Sequence, residues 1–199
     1  TLGREAQDLH RLKKIVAEAE THVARLTATF SLDSGTDPEG QKFQTPEQFK
    51  DQLGRVVLAY STVMESLAGD DLSEAHKGTA QVSKALQGVD MSLLGHEAHM
   101  AWMEMLRTMN NGLSAMHQAE DLVDMRTGFD LLSRALIKAV ESLGAKLEGP
   151  LYVLSCPMAF ENKGARWLQQ DQEVRNPYFG AAMYRCGEVE KQIQAARKN

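Results

Sequence analysis

The sequence predicts an all-α fold: an antiparallel four-helix bundle with an extra N-terminal helix and an irregular, Cys- and Met-bearing C-terminal segment. Three observations carry that expectation. Apolar residues recur at alternating three- and four-residue steps over most of the chain. Gly, Pro and Asp break the pattern into segments of helix length. The one strand-like piece is LYVLS (151–155), and a single strand cannot make a sheet.

The first stripe is Leu2, Leu9, Leu12, Val16, Ala19, Val23, Leu26 and Phe30, with Arg, Lys, Glu and Asp between them, which predicts an amphipathic helix over 2–30. DSGTDPEGQKFQ (33–44) concentrates turn residues and marks the main boundary, so residues 1–44 form a leading helix and loop and 45–199 a helical domain. Thr45-Pro46-Glu47-Gln48 combines a capping hydroxyl, Pro at the first helical position and Gln at the third. A helix follows, carrying Phe49, Leu53, Val56, Val57, Tyr60, Val63, Met64 and Leu67 inward as far as Gly69. Asp70 or Asp71 caps a second helix that ends at Gly88, and VDMSLLG (89–95) connects it to the next. A third runs from His96 toward His117, and a fourth covers 127–143 on Phe129, Leu132, Leu136, Val140 and Leu143 before Gly144. Four helices with short links predict antiparallel neighbours.

Composition narrows the function. At 199 residues, 43% hydrophobic and 25% charged, the chain has room for one ordinary core. A net charge of −5 and no Lys/Arg block interleaved with aromatics argue against nucleic acid. No run of 18 apolar residues is present, so no transmembrane segment is expected, and the bare Thr1 start fits a mature exported protein or an excised domain. Enzymatic signatures are missing: there is no G-x-S-x-G, P-loop, G-x-G-x-x-G or H-E-x-x-H, and His96-Glu97-Ala98-His99 is one residue short of the zincin spacing. No C-x-x-C supports a thiol oxidoreductase. A non-enzymatic chain is expected.

The chemistry gathers in 155–188, which holds both cysteines. Cys156 and Met158 stand two apart, a spacing that places both side chains on one side of an extended backbone. Met183 and Cys186 are three apart, neighbours on a helical turn. If the NPYFG turn (176–180) folds the segment back, four sulfurs converge, and thiolate with thioether selects soft ions, Cu(I) above all and Ag(I) with it. The same two cysteines also suit a structural disulfide, or two inert buried thiols. A second constellation lies on the third helix, where His96, His99, Met100 and Met103 share a face behind Met91. Met105, Met109 and Met116 read there as adaptable packing. Trp102 and Trp167 read as packing anchors.

Three stretches together, VDMSLLGHEAHMAWM (89–103), FDLLSRALIKAVESLG (129–144) and LYVLSCPMAFENKGARWLQQDQEVRNPYFGAAMYRCGEV (151–189), resemble a bacterial domain family of formally unknown function. It is found at the C-terminal end of periplasmic adaptor subunits of CusB-like heavy-metal RND efflux systems and in stand-alone exported proteins. The likeness covers about residues 48–189 through the ordered elements CPMA, KGA-x-WL, NPYFG and CGEV. It implies a helical periplasmic or otherwise exported domain tied to copper export, without turnover chemistry. The implied ligands are Cys156, Met158, Met183 and Cys186, with His99 and Met91 added if the tail packs over the third helix. The implied partners are the metal ion itself and either efflux-system proteins or a second copy of the chain. The β-rich domains of an adaptor are missing from 1–47, so building a channel is not implied. The competing expectation is a disulfide-stapled interaction module, for which Tyr178 and Phe179 would suit a contact patch if exposed, burial of both being the plainer expectation.

Overall fold

Four helices carry the buried face that the periodicity predicts. The computed structural model describes residues 42–193 and 196–197. The stripe over 2–30 and most of the 33–44 loop lie outside the described residues. Helix α1 spans Glu47–Ala68 and buries all eight of the residues expected to face inward, Phe49 through Leu67. Its start differs in detail. The Thr45 hydroxyl donates to the Phe43 carbonyl at 3.4 Å instead of capping, and Pro46 occupies the N-cap position in an extended conformation. Helix α2, Leu72–Gln87, is capped by Asp71, whose carboxylate accepts the Glu74 amide, and it stops at Gly88. A 3-10 turn at Met91–Leu93 leads into α3, His96–Gln118.

Helix α4, Leu122–Leu143, begins five residues before the expected start. Asp121 accepts the amides of Val123 and Asp124 at 2.9 Å, so a capping side chain nucleates a first turn that the apolar stripe does not mark. Val123 in that turn is exposed, which hides the turn from a periodicity reading. Helices α3 and α4 approach most closely at Gly112 and Gly128. A Cβ on Gly128 would stand 2.6 Å from Met116 Cγ and 2.9 Å from the Gly112 carbonyl oxygen. The two backbones touch because neither residue has a side chain there.

The fold is mostly helical, but the C-terminal segment is not irregular as expected. LYVLS finds partners. Strand β2, Leu151–Cys156, pairs antiparallel on both sides, with β3 (Ala165–Gln169) and with β4 (Glu188–Ile193), in the order β3-β2-β4. The register sets Leu154 opposite Trp167 and Cys156 opposite Ala165 on one side, and Ser155 opposite Glu188 on the other. A bulge between Val153 and Leu154 leaves Glu190 of β4 unpaired in the ladder. Two-residue strands β1 (Lys146–Leu147) and β5 (Ala196–Arg197) pair in parallel. Periodicity missed β4 because it is a charged, exposed edge strand with no apolar alternation.

The sheet is fixed to the helices through β3, which packs on α4 and α1. The Tyr60 hydroxyl of α1 accepts the Leu168 amide at 3.2 Å and shares a hydrogen bond with Ser133 Oγ of α4 at 2.8 Å. Burial pushes the Tyr60 phenol well above its ordinary pKa, so it stays neutral and keeps its proton for that bond. The Tyr60 ring stacks on Phe129 at 5.0 Å. Among the described residues no helix is long and apolar enough to cross a membrane.

The α3–α4 contact yields a steric prediction. Gly128→Ala should lower unfolding stability by about 1–3 kcal/mol through overpacking. Gly149→Ala, outside the helices and where an added Cβ meets nothing within 4 Å, should be nearly neutral. Urea titrations of both variants check the contrast.

Candidate metal centre

Strand β2 ends at Cys156 inside the core, and β4 is entered through Cys186, so the antiparallel pairing of the two strands brings the sulfurs face to face. Cys156 Sγ and Cys186 Sγ are 3.5 Å apart and both are free thiols. Cys156 is 0% exposed, whereas Cys186 is half-buried and is the sulfur through which the pair meets solvent. Gly187 makes the approach possible. Its φ is +139°, and a Cβ there would stand 2.7 Å from the Ser155 carbonyl oxygen and 2.8 Å from Trp167 Cη2.

Cys186 is held from the backbone side by Asn176, which is wholly buried. The Asn176 side-chain amide donates to the Cys186 carbonyl at 2.7 Å, and its oxygen accepts the amides of Tyr178 at 2.8 Å and Phe179 at 3.2 Å. Its own backbone amide donates to the Tyr184 carbonyl at 2.8 Å. One side chain thus closes the NPYFG turn and fixes the cysteine that follows it. The turn is in turn pinned to the helices. Asp70 Oδ2 accepts the Ala181 amide at 2.8 Å and Oδ1 meets Arg126 Nη2 at 2.5 Å, while Arg126 Nε donates to the Pro177 carbonyl at 2.8 Å. The Ala181 amide first, and then Arg126, hold the Asp70 carboxyl below its usual range.

Above the thiols the chain makes a left-handed turn, labelled α5, at Ala159–Asn162. Phe160, Glu161 and Asn162 have φ of 51°, 58° and 66°. Each such residue costs about 1–3 kcal/mol, offset in part where Phe160 packs edge-on against Tyr178 at 5.5 Å. Tyr178 also meets Trp167 and Phe129 and donates its hydroxyl proton to the Arg166 carbonyl at 2.7 Å. Trp167 donates to Gln169 Oε1, and the Gln169 amide group serves Asp171 and Glu173.

The predicted ligands are distributed as follows. Cys156 and Cys186 are together. Met183 and Cys186 share a turn in which the Cys186 amide donates to the Met183 carbonyl at 3.0 Å. Met158 does not continue the strand: β2 stops at Cys156 and Met158 adopts a right-handed helical conformation, so the extended-strand alignment expected of Cys156 and Met158 is not present. The Met158 side chain is 47% exposed. His99 and Met91 join this set only where the tail packs over α3. The tail packs on α4 and α1, while the Met91 turn is tied to Gln52 near the start of α1, 15 residues before the Leu67 carbonyl that Arg126 also holds. That separation is about 22 Å along the helix. Tyr178 is buried rather than part of an exposed contact patch, and Phe179 is half-buried. The roles of Asn176, Asp70 and Arg126 escaped the sequence reading, although Asn before Pro in a turn was the available signal.

Chemically, the pair is a two-thiol centre. Among the described residues no three His, Cys, Asp or Glu side chains converge on one point, so a closed tetrahedral zinc set of that kind is not assembled there. The hydrogen bond with Cys156, then burial, then the charge Cys156 would carry, raise the Cys186 thiol above its ordinary pKa. The Cys186 proton is therefore retained at neutral pH and must leave for the sulfur to act as a thiolate donor.

Residues 56–148 match a family model described as protein of unknown function (DUF3347). The match begins at Val56, within α1, runs through α2, α3 and α4 to Glu148, and ends before the two cysteines. Comparison with curated proteins and with solved structures returns no match.

Two predictions test this construction. Asn176→Ala should destabilise the protein by about 2–4 kcal/mol, because it leaves the buried Cys186 carbonyl and two amides without their partner. It should also expose Cys156 to a thiol reagent that it resists in the parent protein, as timed by mass spectrometry. The second concerns acid. With a folded pKa held below the unfolded value, Asp70 contributes stability that is fully present above the unfolded pKa and is lost as pH falls through the folded one. Asp70→Asn should therefore lower stability at neutral pH and flatten the acid limb of a Tm-against-pH curve.

Proposed function

We propose that this chain is a non-enzymatic soft-metal carrier domain of the bacterial envelope, in which Cys156 and Cys186 take Cu(I) as cargo for heavy-metal efflux or hand-off. The observation that carries the reading is the pair of free thiols at 3.5 Å, one buried and one reaching solvent. A disulfide requires about 2.05 Å between sulfurs, whereas two thiolates on a tetrahedral ion with bonds of about 2.3 Å stand about 3.8 Å apart. At 3.5 Å the sulfurs are close enough for both to reach one ion after a small side-chain rotation.

The donor set favours a soft ion of low charge. Two thiolates compensate a monovalent cation without further anionic ligands, and the remaining sulfurs within the segment, Met183 and Met158, are neutral thioethers that suit Cu(I) or Ag(I) rather than Mg or Ca. Cys186, the less buried of the two thiols, would meet the ion first. Cys156 would then complete the grip from the core, where water is excluded. Both thiol protons leave as the ion is taken up, so binding releases protons and weakens as pH falls. In this reading the four helices act as an antiparallel bundle whose role is to hold β2 and the NPYFG turn in place. Periplasmic location and association with efflux proteins rest on the resemblance of the CPMA, NPYFG and CGEV elements.

A second reading rests on the same distance. Oxidation would join Cys156 to Cys186 and close a loop spanning 30 residues, stabilising by about 3–4 kcal/mol in the chain-entropy account. The chain would then be a stapled helical module that docks on a protein partner and binds no metal.

Thiol titration with metal analysis on anaerobically purified protein separates the two. Carrier function predicts Cu(I) retained by both thiols and a rise in Tm, each lost in Cys156→Ser/Cys186→Ser. Equal melting with and without Cu(I) under reducing conditions would sink it. Thiols that pair readily in air and retain no metal after reduction would establish the stapled module instead.

A further inference from the structure

At the end of α1 away from the cysteines, residues 90–103 gather a second set of soft donors. The Asp90 amide donates to Gln52 Oε1 at 2.8 Å, fixing the Met91–Leu93 turn to α1. The turn is stiffened by Asp90 Oδ1, which accepts the Ser92 amide and hydroxyl. Across from it, His99 Nδ1 lies 3.2 Å from the Met91 carbonyl oxygen. A carbonyl only accepts, so this contact assigns the ring proton to Nδ1 and leaves the Nε2 lone pair uncommitted. Metal-ligating histidines are oriented in the same way, by a backbone carbonyl on the nitrogen that does not bind.

Two thioethers accompany that nitrogen. The hydrogen bond holds the Met91 backbone, from which a flexible thioether extends, against the His99 ring, and Met103 follows His99 by one helical turn. They are 40% and 41% exposed, whereas Met105, Met109 and Met116 of the same helix are buried in the core. The exposed methionines therefore do not serve as core packing.

We propose that Met91, His99 and Met103 form a second soft-cation site, separate from the thiol pair, that takes monovalent Cu(I) or Ag(I) through two thioether sulfurs and His99 Nε2. All three donors are neutral, so they offset no second positive charge, and a monovalent soft ion suits them better than a divalent one. No thiol proton has to be displaced, and exchange with solution is faster than at the cysteines. Nothing in the site depends on Cys156 or Cys186, so it stands or falls apart from the carrier reading.

The test uses the full chain carrying Cys156→Ser/Cys186→Ser, with 13C-methyl methionine and 15N histidine, titrated with Ag(I) and followed by NMR. Met91 and Met103 methyl signals and His99 Nε2 should move together and saturate at a single equivalent, with Met105, Met109 and Met116 unmoved. His99→Gln or Met103→Leu should weaken the apparent affinity by about tenfold or more, with the metal-free Tm lowered only slightly, since neither residue belongs to the buried core. A Met158 methyl that moves at the same Ag(I) concentration would reduce the effect to adventitious thioether binding and overturn the proposal. So would an unchanged titration in His99→Gln, or no saturable shift at all. If the serine variant binds nothing while the parent chain retains Ag(I), this site is lost and the thiol centre stands. The reverse outcome removes the thiol centre and keeps this site.

Discussion

The Tyr60 hydroxyl is the constraint on which the rest of the C-terminal half depends. It lies at the middle of α1, shares a hydrogen bond with Ser133 of α4 and accepts the Leu168 amide of β3, so a single buried oxygen joins two helices to the sheet. An amide left unpaired at that depth would cost about 1–3 kcal/mol, which makes the docking of β3 specific in register as well as in place. Once β3 is fixed, pairing carries the constraint to β2, and Cys156 falls at the end of the ladder opposite Ala165. The position of the buried thiol is thus inherited from a helix more than ninety residues earlier in the chain.

The second thiol is positioned by a different device. Asn176 closes its own turn and holds the Cys186 carbonyl, while Asp70 and Arg126 tie that turn to the helix ends. The side chains that place the sulfurs are therefore mostly not sulfur-bearing. The left-handed residues Phe160 to Asn162 fit the same logic: a local backbone cost is accepted so that Phe160 reaches the Tyr178 ring and the chain can turn sharply between β2 and β3. Tyr178 stands at the centre of this cluster. A deeply buried phenol of raised pKa stays neutral there and donates to the Arg166 backbone.

The soft donors divide into two groups with different chemistry. The thiol pair holds protons that an ion must displace, and half of it is sealed from solvent. The methionine and histidine face at the start of α3 holds no proton that must leave and is open to water. Met91 and His99 are expected to complete the cysteine site if the tail packs over α3, and the tail's main helix contacts are with α4 and α1.

By itself the sequence determined the four helices, their inward faces and most of their stops, because those depend on local periodicity, capping carboxylates and glycine, all of which act within a few residues. It also singled out the sulfur residues and the NPYFG turn. Tertiary structure decided what local rules do not reach. The start of α4 depends on the Asp121 cap and carries an exposed Val123 that interrupts the stripe. Strand β4 is a charged edge whose extended form exists only because β2 offers it hydrogen bonds, so no apolar alternation announces it. The 3.5 Å approach of Cys156 and Cys186 joins positions thirty residues apart through strand pairing, the glycine at 187 and the buried Asn176. That the tail lies mainly on α4 and α1 is likewise decided by packing. Spacing along a chain reports which side chains share a turn of helix, and only packing reports which ends of the molecule they occupy.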